Sequence, residues 1–550
     1  MHNFMELGEE KMMKRTNALK IAGLTAAAAS LFVAACSDPS GVSYDSSARA
    51  VGYASHAGVD GGDDADVYHT YYINEFDTNT PYTYDNDSAG ARSCEVLNVV
   101  LTDLKYRQKS GKYWGGDKLD STEAKYNGGT NYSKKLSDLC INKDNTSCDW
   151  DQDGTVDFYL TGGKDLNPVL ICLEGDVENS CTTDSGWESA GQTGRIVTLN
   201  GLKNVTIQGV GESGATLVHY GFKISSCSNI IIRNLSFSAP YKDAIDIEGS
   251  DCVLIDHCSF SDWISEDEPY TDSSGNSVSS DGAIDIGGGS TNVTVSYNHF
   301  DDTNKNMLYS SGNYGADDGN TDSKQTVSVM YNWFEKTHQR NPMVRFGTVH
   351  VLNNFYDNVS SYGIDGRHAA RILVEGNYFL NTKKISQTSF IAGEIPSFLS
   401  QKDWGWEYGY PALIKLQDNY SKYNGEVVYP VHHGVNGLNG VTAVEVLATS
   451  NPEYDDSGNL VARGSGDDFA PTTLDGTTCV YDNDKHNGAQ SWDYTPPYEY
   501  VSMKPSDVPT YVKANAGNVY KLSRPANLKA AQLLVSHGSI YSESFTSTLW

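Results

Sequence analysis

Four charged residues hold one place in a recurring pattern. Asp243 is the sixth residue after Phe237, Lys305 the fifth after Phe300 and Arg340 the sixth after Phe334. An insertion over residues 261–280 follows Phe260, and the chain re-enters the pattern at Asp281. If each aromatic marks the same point of a repeated unit, the four side chains line one groove, acidic at one end and basic at the other. A second match sharpens the acidic end: Ala244-Ile-Asp-Ile247 recurs as Ala283-Ile-Asp-Ile286 in the next unit but one or its neighbour, which turns the isoleucines inward and Asp246 and Asp285 outward, close to one another along the stack. Carboxylates stacked in this way repel one another unless a cation lies between them. Calcium suits such a place because it takes several oxygen ligands; the alternative is a solvated acidic edge. In an extended strand Asp281 and Asp285 stand about 13 Å apart. The chain must therefore bend after Asp281 if both are to meet one ion.

The elements that must position these residues form a repeat. Short apolar, β-branched segments recur at 205–208, 230–234, 253–257, 293–298, 327–332, 349–353 and 372–377. Aligned two residues before the closing aromatic, they give Leu235, Cys258, Asn298, Asn332, Asn354 and Asn377, at intervals of 23, 40, 34, 22 and 23 residues. A period of about 22 or 23, with insertions of about 17 and 12 in two units, fits the coil of a right-handed parallel β-helix. Stacked coils repeat at roughly 4.8 Å, so equivalent positions form ladders. Asn298, Asn332, Asn354 and Asn377 are expected to form one, their amides bonding from coil to coil. A leucine-rich horseshoe has a similar period but needs a Leu-x-x-Leu-x-Leu repeat that is absent. The fold class is therefore all-β, a single-stranded solenoid with inserted loops and a C-terminal extension.

Composition narrows the setting. The 550 residues carry 40 basic and 70 acidic side chains, a net charge of −30 that disfavours any nucleic-acid partner. Lys11, Lys14, Arg15 and Lys20 precede an apolar run from Ile21 to Ala35, which reads as an export signal, with Met12 or Met13 a natural start. Its end, Val33-Ala-Ala-Cys36, resembles a lipoprotein cleavage site, and simple secretion is the alternative. An exported protein is expected, either an outer-membrane or cell-surface lipoprotein touching membrane only through a lipid on Cys36, or a secreted monomer. The expected organisation is an export signal at 1–35, a flexible tether at 36–90, a catalytic β-helix at 91–420 and an extension packing on it at 421–550. Setting Cys36 aside leaves nine cysteines, an odd number. Cys140 with Cys148 and Cys172 with Cys181 are candidate disulfides. Asp149, Asp151, Asp153, Gly154 and Asp157 follow the spacing of an EF-hand loop but lack its closing Glu, Leu160 standing there, so a structural calcium loop and a polar turn both remain open. His257 and His350 read as buried structural histidines, the run Glu266-Asp-Glu268 as solvated, and Trp404 to Tyr410 as a cap or groove wall.

Several stretches together resemble the pectate lyase family of parallel β-helix polysaccharide lyases. They are Asp281-Gly-Ala-Ile-Asp285, Val293-Thr-Val-Ser-Tyr-Asn298, Lys305-Asn-Met-Leu308, Arg340-Asn-Pro-Met-Val-Arg345-Phe-Gly and Val349-His-Val-Leu-Asn-Asn354, with Asn204 to Gly211, Asn229 to Asn234 and Ile255-Asp-His257. The resemblance spans about Pro168 to Thr382, with a weaker echo at Val508 to Gly517. It implies that Asp243, Asp281 and Asp285 bind Ca²⁺ bridging to a substrate carboxylate. It implies Arg340 as the base that removes the C5 proton of a galacturonate unit, and Lys305 and Arg345 as holders of substrate carboxylates. Many members carry a further aspartate two residues before the position of Asp243. Tyr241 stands there, and Asp246 is the candidate to replace the missing ligand in part. The expected activity is calcium-dependent β-elimination of polygalacturonate to unsaturated oligogalacturonides. The alternatives are a calcium-free pectin lyase acting on methyl-esterified chains and a non-catalytic polysaccharide-binding surface protein.

Overall fold

In the computed structural model, residues 51–74, 93–113, 134–178, 196–388 (apart from 213, 272–276, 311–323, 368–369 and 383), 413–428, 431–434, five two- or three-residue strands between 446 and 478, and 494–525 are described. The chain winds into a right-handed parallel β-helix with three sheets, the fold class expected. One sheet runs from Thr70–Asn74 and Val169–Glu178 up to Leu413–Gln417; the second begins at Ala215–Val218 and the third at Ile196–Asn200.

Register explains the period in the sequence. In the first sheet Ile232, Ile255, Val295, Val329, Val351, Val374 and Leu416 are successive partners. All are buried, so the β-branched runs fill the bore of the solenoid. In the second sheet Phe237, Phe260, Phe300, Phe334, Tyr356 and Phe379 stack with centroids 4.4–5.2 Å apart. Each such buried ring contributes about 1.5–3 kcal/mol of apolar burial.

The asparagine ladder sits where the first sheet turns into the second. The residue before each rung, His257, Tyr297, Tyr331 and Asn353, takes a left-handed φ of 51–57° that reverses the chain. Asn298, Asn332 and Asn354 each accept, at Oδ1, the backbone N–H of the rung before, at 2.9 Å, and each donates through Nδ2 to a main-chain carbonyl. The column continues through Asn377 to Asn419, one rung more than the sequence period reveals. The amides thereby satisfy turn groups that burial would otherwise leave unpaired.

Part of the expected tether is folded. Tyr53, Ala54 and Val59 are buried against the first sheet, Ala54 N donates to Thr294 Oγ1, and Thr70–Asn74 adds a strand beside Val169–Glu178. Composition rich in Gly and Asp hid these anchors. On the same face, residues 494–516 pack through Tyr498, Val508, Val512 and Ala516. Both histidines are structural: His257 is 2% exposed and held by Asp256 at 2.7 Å, and His350 is fully buried beside the Tyr498 hydroxyl at 2.9 Å.

Cys140 and Cys148 are not bonded to each other but face one another across an antiparallel bridge, both as free thiols. Sequence proximity placed them together, and each sulfur packs into the small apolar cluster around Trp150 instead. Cys181, Cys36 with the export signal, and Trp404 to Tyr410 lie outside the described residues. No helix among the described residues is long and apolar enough to cross a membrane.

Candidate active site

The charged row occupies consecutive rungs where the second sheet turns into the third. Asp281 N donates to Lys242 O at 3.0 Å, Gly282 bridges Lys305, and Lys305 bridges Gln339, the neighbour of Arg340. Asp243, Asp281, Lys305 and Arg340 therefore follow one another along the stack, and at roughly 4.8 Å per rung the row spans about 14 Å. The offsets counted from the aromatics find the right rungs, although Lys305 pairs with Gly282 and Gln339, one residue from Asp281 and Arg340, so the four side chains share a corner and not one register.

At the acidic end Asp243 is 8% exposed and accepts the N–H of Gly282 at 2.8 Å. The chain bends after Asp281 as required, and the Asp285 carboxylate folds back against Gly282 while accepting Leu308 N at 3.1 Å. A Cβ at residue 282 would lie 2.4 Å from Asp285 Oδ1, so only glycine leaves room for that carboxylate. Burial, followed by the Asp281 charge, pushes Asp243 up to about 6. Burial together with the Asp243 charge raises Asp285 well above the carboxylate range. Two carboxylates that destabilise each other's ionised form, with a third on the neighbouring rung, make a hard oxygen donor set that suits Ca²⁺. Asp243, Asp281 and Asp285 are the residues that would hold the ion.

Asp246 lies in register with Asp285, one rung away, as the repeated Ala-Ile-Asp-Ile predicts. Its carboxylate is bonded to Lys223 Nζ at 2.9 Å, on the rung below. This placement gives Asp246 a cation already and leaves it a weak candidate for the missing ligand.

At the basic end Lys305 bonds both Asp281, at 3.1 Å, and Glu266. Burial would lower its pKa, but these two partners raise it, so the ammonium is held charged. Glu266 corrects the reading of its acidic run as merely solvated: the inserted loop carries this one carboxylate back to the groove. Arg340 adopts a left-handed φ of 60°, a strained conformation for a residue with a side chain. The adjoining Asn341 is fully buried and fixed by Asn306, Thr337 and the Tyr362 carbonyl, which sets the backbone that presents Arg340. Arg340 Nε is buried without a hydrogen-bond partner among the described residues. Arg345, 6% exposed, sends Nη1 to the Ser310 carbonyl at 3.2 Å, behind the row and not along it.

Among the described residues, two other groups bring three ligand atoms within 4.8 Å, a closeness that Asp243, Asp281 and Asp285 do not reach. In His299, Asp301 and Glu335, Lys336 Nζ stands 3.7 Å from Glu335 and already supplies positive charge. In Asp149, Asp151 and Asp153, the Asp149 oxygens accept the N–H groups of Asp153 and Gly154 at 3.0 Å. Such bonds order a turn with or without an ion.

A family sequence model described as "Pectate lyase" matches residues 98–393, more than half of the chain. The chain is 32% identical over 236 residues to the pectate trisaccharide-lyase of Bacillus licheniformis, which covers 42% of this chain and 62% of that protein. It is 35% identical over 177 residues to pectate lyase plyB of Emericella nidulans, covering 31% and 50%. The chain thus spans between half and 62% of the length of these relatives. A pectate lyase structure from Acidovorax avenae superposes with a TM-score of 0.47 at 17% identity, covering 89% of this chain and 99% of that one. With the family match extending from within the helix Ser93–Ser110 through the whole charged row, the chain belongs to the pectate lyase family.

Proposed function

We propose that this protein is a calcium-dependent pectate lyase that cleaves polygalacturonate by β-elimination. The observation that carries the reading is the run of Asp243, Asp281, Lys305 and Arg340 on consecutive rungs at one corner. A polyanionic sugar chain laid along such a row meets cation-binding carboxylates first and fixed positive charge next. When bound, Ca²⁺ would neutralise a uronate carboxylate and so make the adjacent C5–H more acidic.

The chain's own residues account for the remaining steps. Lys305 orients and neutralises the carboxylate of the reacting unit after exchanging Glu266 or Asp281 for it. Arg340, in its neutral form, takes the C5 proton; the electron pair of the C–H bond becomes the C4–C5 double bond, and the C4–O bond breaks to release the glycosidic oxygen. Free arginine ionises far above neutral pH, so the step depends on a C5–H bond made acidic by neutralisation of the adjacent carboxylate.

The test is absorbance of unsaturated products from polygalacturonate. Activity with calcium that disappears in excess chelator and returns on adding Ca²⁺ is expected. Full activity in chelator would refute the calcium dependence, and no product with or without calcium would refute the lyase itself.

A further inference from the structure

The insertion between Phe260 and Asp281 lays an aromatic ring against the charged row. Its hairpin pairs Tyr270–Thr271 with Ser277–Val278, and Tyr270 keeps 50% of its surface exposed. Tyr270 lies 5.7 Å from Tyr241 and 6.3 Å from His219, and His219 lies 4.5 Å from Tyr241. The interplanar angles are 20°, 13° and 16°, so the three rings are close to parallel.

These rings extend the groove. Tyr241 N donates to His219 O at 3.4 Å, the next residue's carbonyl receives Asp281 N, and Asp243 follows Tyr241 by two residues. Along the stack the corner therefore presents rings, then carboxylates, then the ammonium and the guanidinium. Rings and ions recognise different parts of a uronate polymer. An ion or a lysine reads the carboxylate and loses its hold when that group is esterified. An aromatic face reads the C–H face of a pyranose, which is the same in the acid and the ester, and a half-exposed tyrosine such as Tyr270 suits such amphipathic contact. Tyr241, 6% exposed, stands two residues before Asp243 and backs the Tyr270 ring at that place.

We propose that Tyr270, backed by the stacked rings of Tyr241 and His219, forms a saccharide-ring subsite at the acidic end of the groove, holding one pyranose unit by its face and accepting a methyl-esterified uronate there as readily as an ionised one. The proposal rests on the lyase reading above. It is tested with Tyr270→Ala and Tyr270→Trp, assayed on polygalacturonate and on partially methyl-esterified polygalacturonate. Tyr270→Ala should raise KM about tenfold on both polymers while kcat stays within twofold, and Tyr270→Trp should restore KM. An unchanged KM in Tyr270→Ala, a rise confined to the de-esterified polymer, or failure of Tyr270→Trp to restore KM would overturn it. Should the wild-type protein form no unsaturated product, the lyase reading falls and the subsite is judged by migration through gels containing either polymer. Retardation of the wild type but not of Tyr270→Ala by both polymers then supports the subsite, and equal migration overturns it.

Discussion

Gly282→Ala is the smallest change that separates the acidic end of the groove from the solenoid carrying it. The added methyl group would lie 2.4 Å from Asp285 Oδ1 and 2.7 Å from its Cγ, whereas ordinary contact begins at 3.4 Å. The Asp285 carboxylate must therefore move by about 1 Å, which breaks its 3.1 Å bond from Leu308 N. Gly282 is outside the left-handed region, so alanine meets no backbone penalty. Ile284 and Ile286, buried on the inner side, are untouched. A displacement of about 1 Å at a reacting or ligating group costs on the order of a hundredfold in rate, about 2.7 kcal/mol in the barrier. The expected result is kcat/KM on polygalacturonate lowered about a hundredfold, with a raised calcium requirement and a thermal midpoint close to wild type. Wild-type kcat/KM at every calcium concentration would refute the account of Gly282 as the space for Asp285. A collapsed thermal midpoint would refute the claim that the change is local.

Arg340→Ala and Arg340→Lys are expected to abolish unsaturated-product formation while circular dichroism and thermal midpoint stay unchanged, since the head group lies at an outer corner of the coil; turnover by a folded Arg340→Ala protein would remove it as the base. Near the N-terminal end, Arg107 is buried against Asp165 at 2.5 Å, and Asp165 also meets His69. Burial alone would raise the Asp165 pKa, but the Arg107 charge and then His69 hold it well below the carboxylate range. A carboxylate with a depressed folded pKa stabilises above its unfolded value of about 3.9 and loses that contribution as pH falls below it. Asp165→Asn leaves the Arg107 charge buried and is expected to cost about 3–5 kcal/mol at neutral pH. Its thermal midpoint should also fall less than wild type's between pH 5 and pH 3 by calorimetry, and an equally steep fall would show that this pair does not set the acid limb.

What the sequence made legible was whatever repeats in phase. Asn298, Asn332, Asn354 and Asn377 could be aligned because coil lengths of 22–34 residues keep the pattern in view. Asn419 escaped because the residue two places on is Ser421, in register with Phe379, so the closing aromatic that marks the other rungs is missing. The charged row was legible for the same reason, being counted from stacked aromatics. Glu266 was not, because its approach to Lys305 depends on the path of an inserted loop, and nothing in an acidic run fixes which carboxylate turns inward. Lys223 was missed because its strand, Gly221–Ser225, carries no motif, and its partnership with Asp246 exists only through register. The folded part of the presumed tether was hidden because a few buried side chains, Tyr53, Ala54, Val59, Tyr71 and Ile73 among them, suffice to anchor a stretch that is otherwise polar.

The charge balance of the groove shows which carboxylates are left for an ion. Asp246 shares Lys223 with Glu248, both within 2.9 Å, so one ammonium on the rung below offsets part of their charge and Asp246 is already engaged. Asp281 leans on Lys305, which Glu266 also holds, so an approaching uronate finds that ammonium engaged by carboxylates it can replace. Asp243 and Asp285 remain. Each is bonded to a backbone N–H, and for each the other's neighbourhood disfavours ionisation. Lys242 favours the ionised form of Asp243 and Arg340 that of Asp285, but in both burial outweighs that positive charge, so each carboxylate gains from the arrival of a cation. With Tyr241 in place of a further aspartate, the arriving charge has fewer fixed oxygens to meet, and the substrate's own carboxylate becomes a larger share of the shell that completes it. Under the function proposed above, the ion and the polymer would bind as a unit, and the Tyr270 ring would add affinity that the reduced acidic set does not supply.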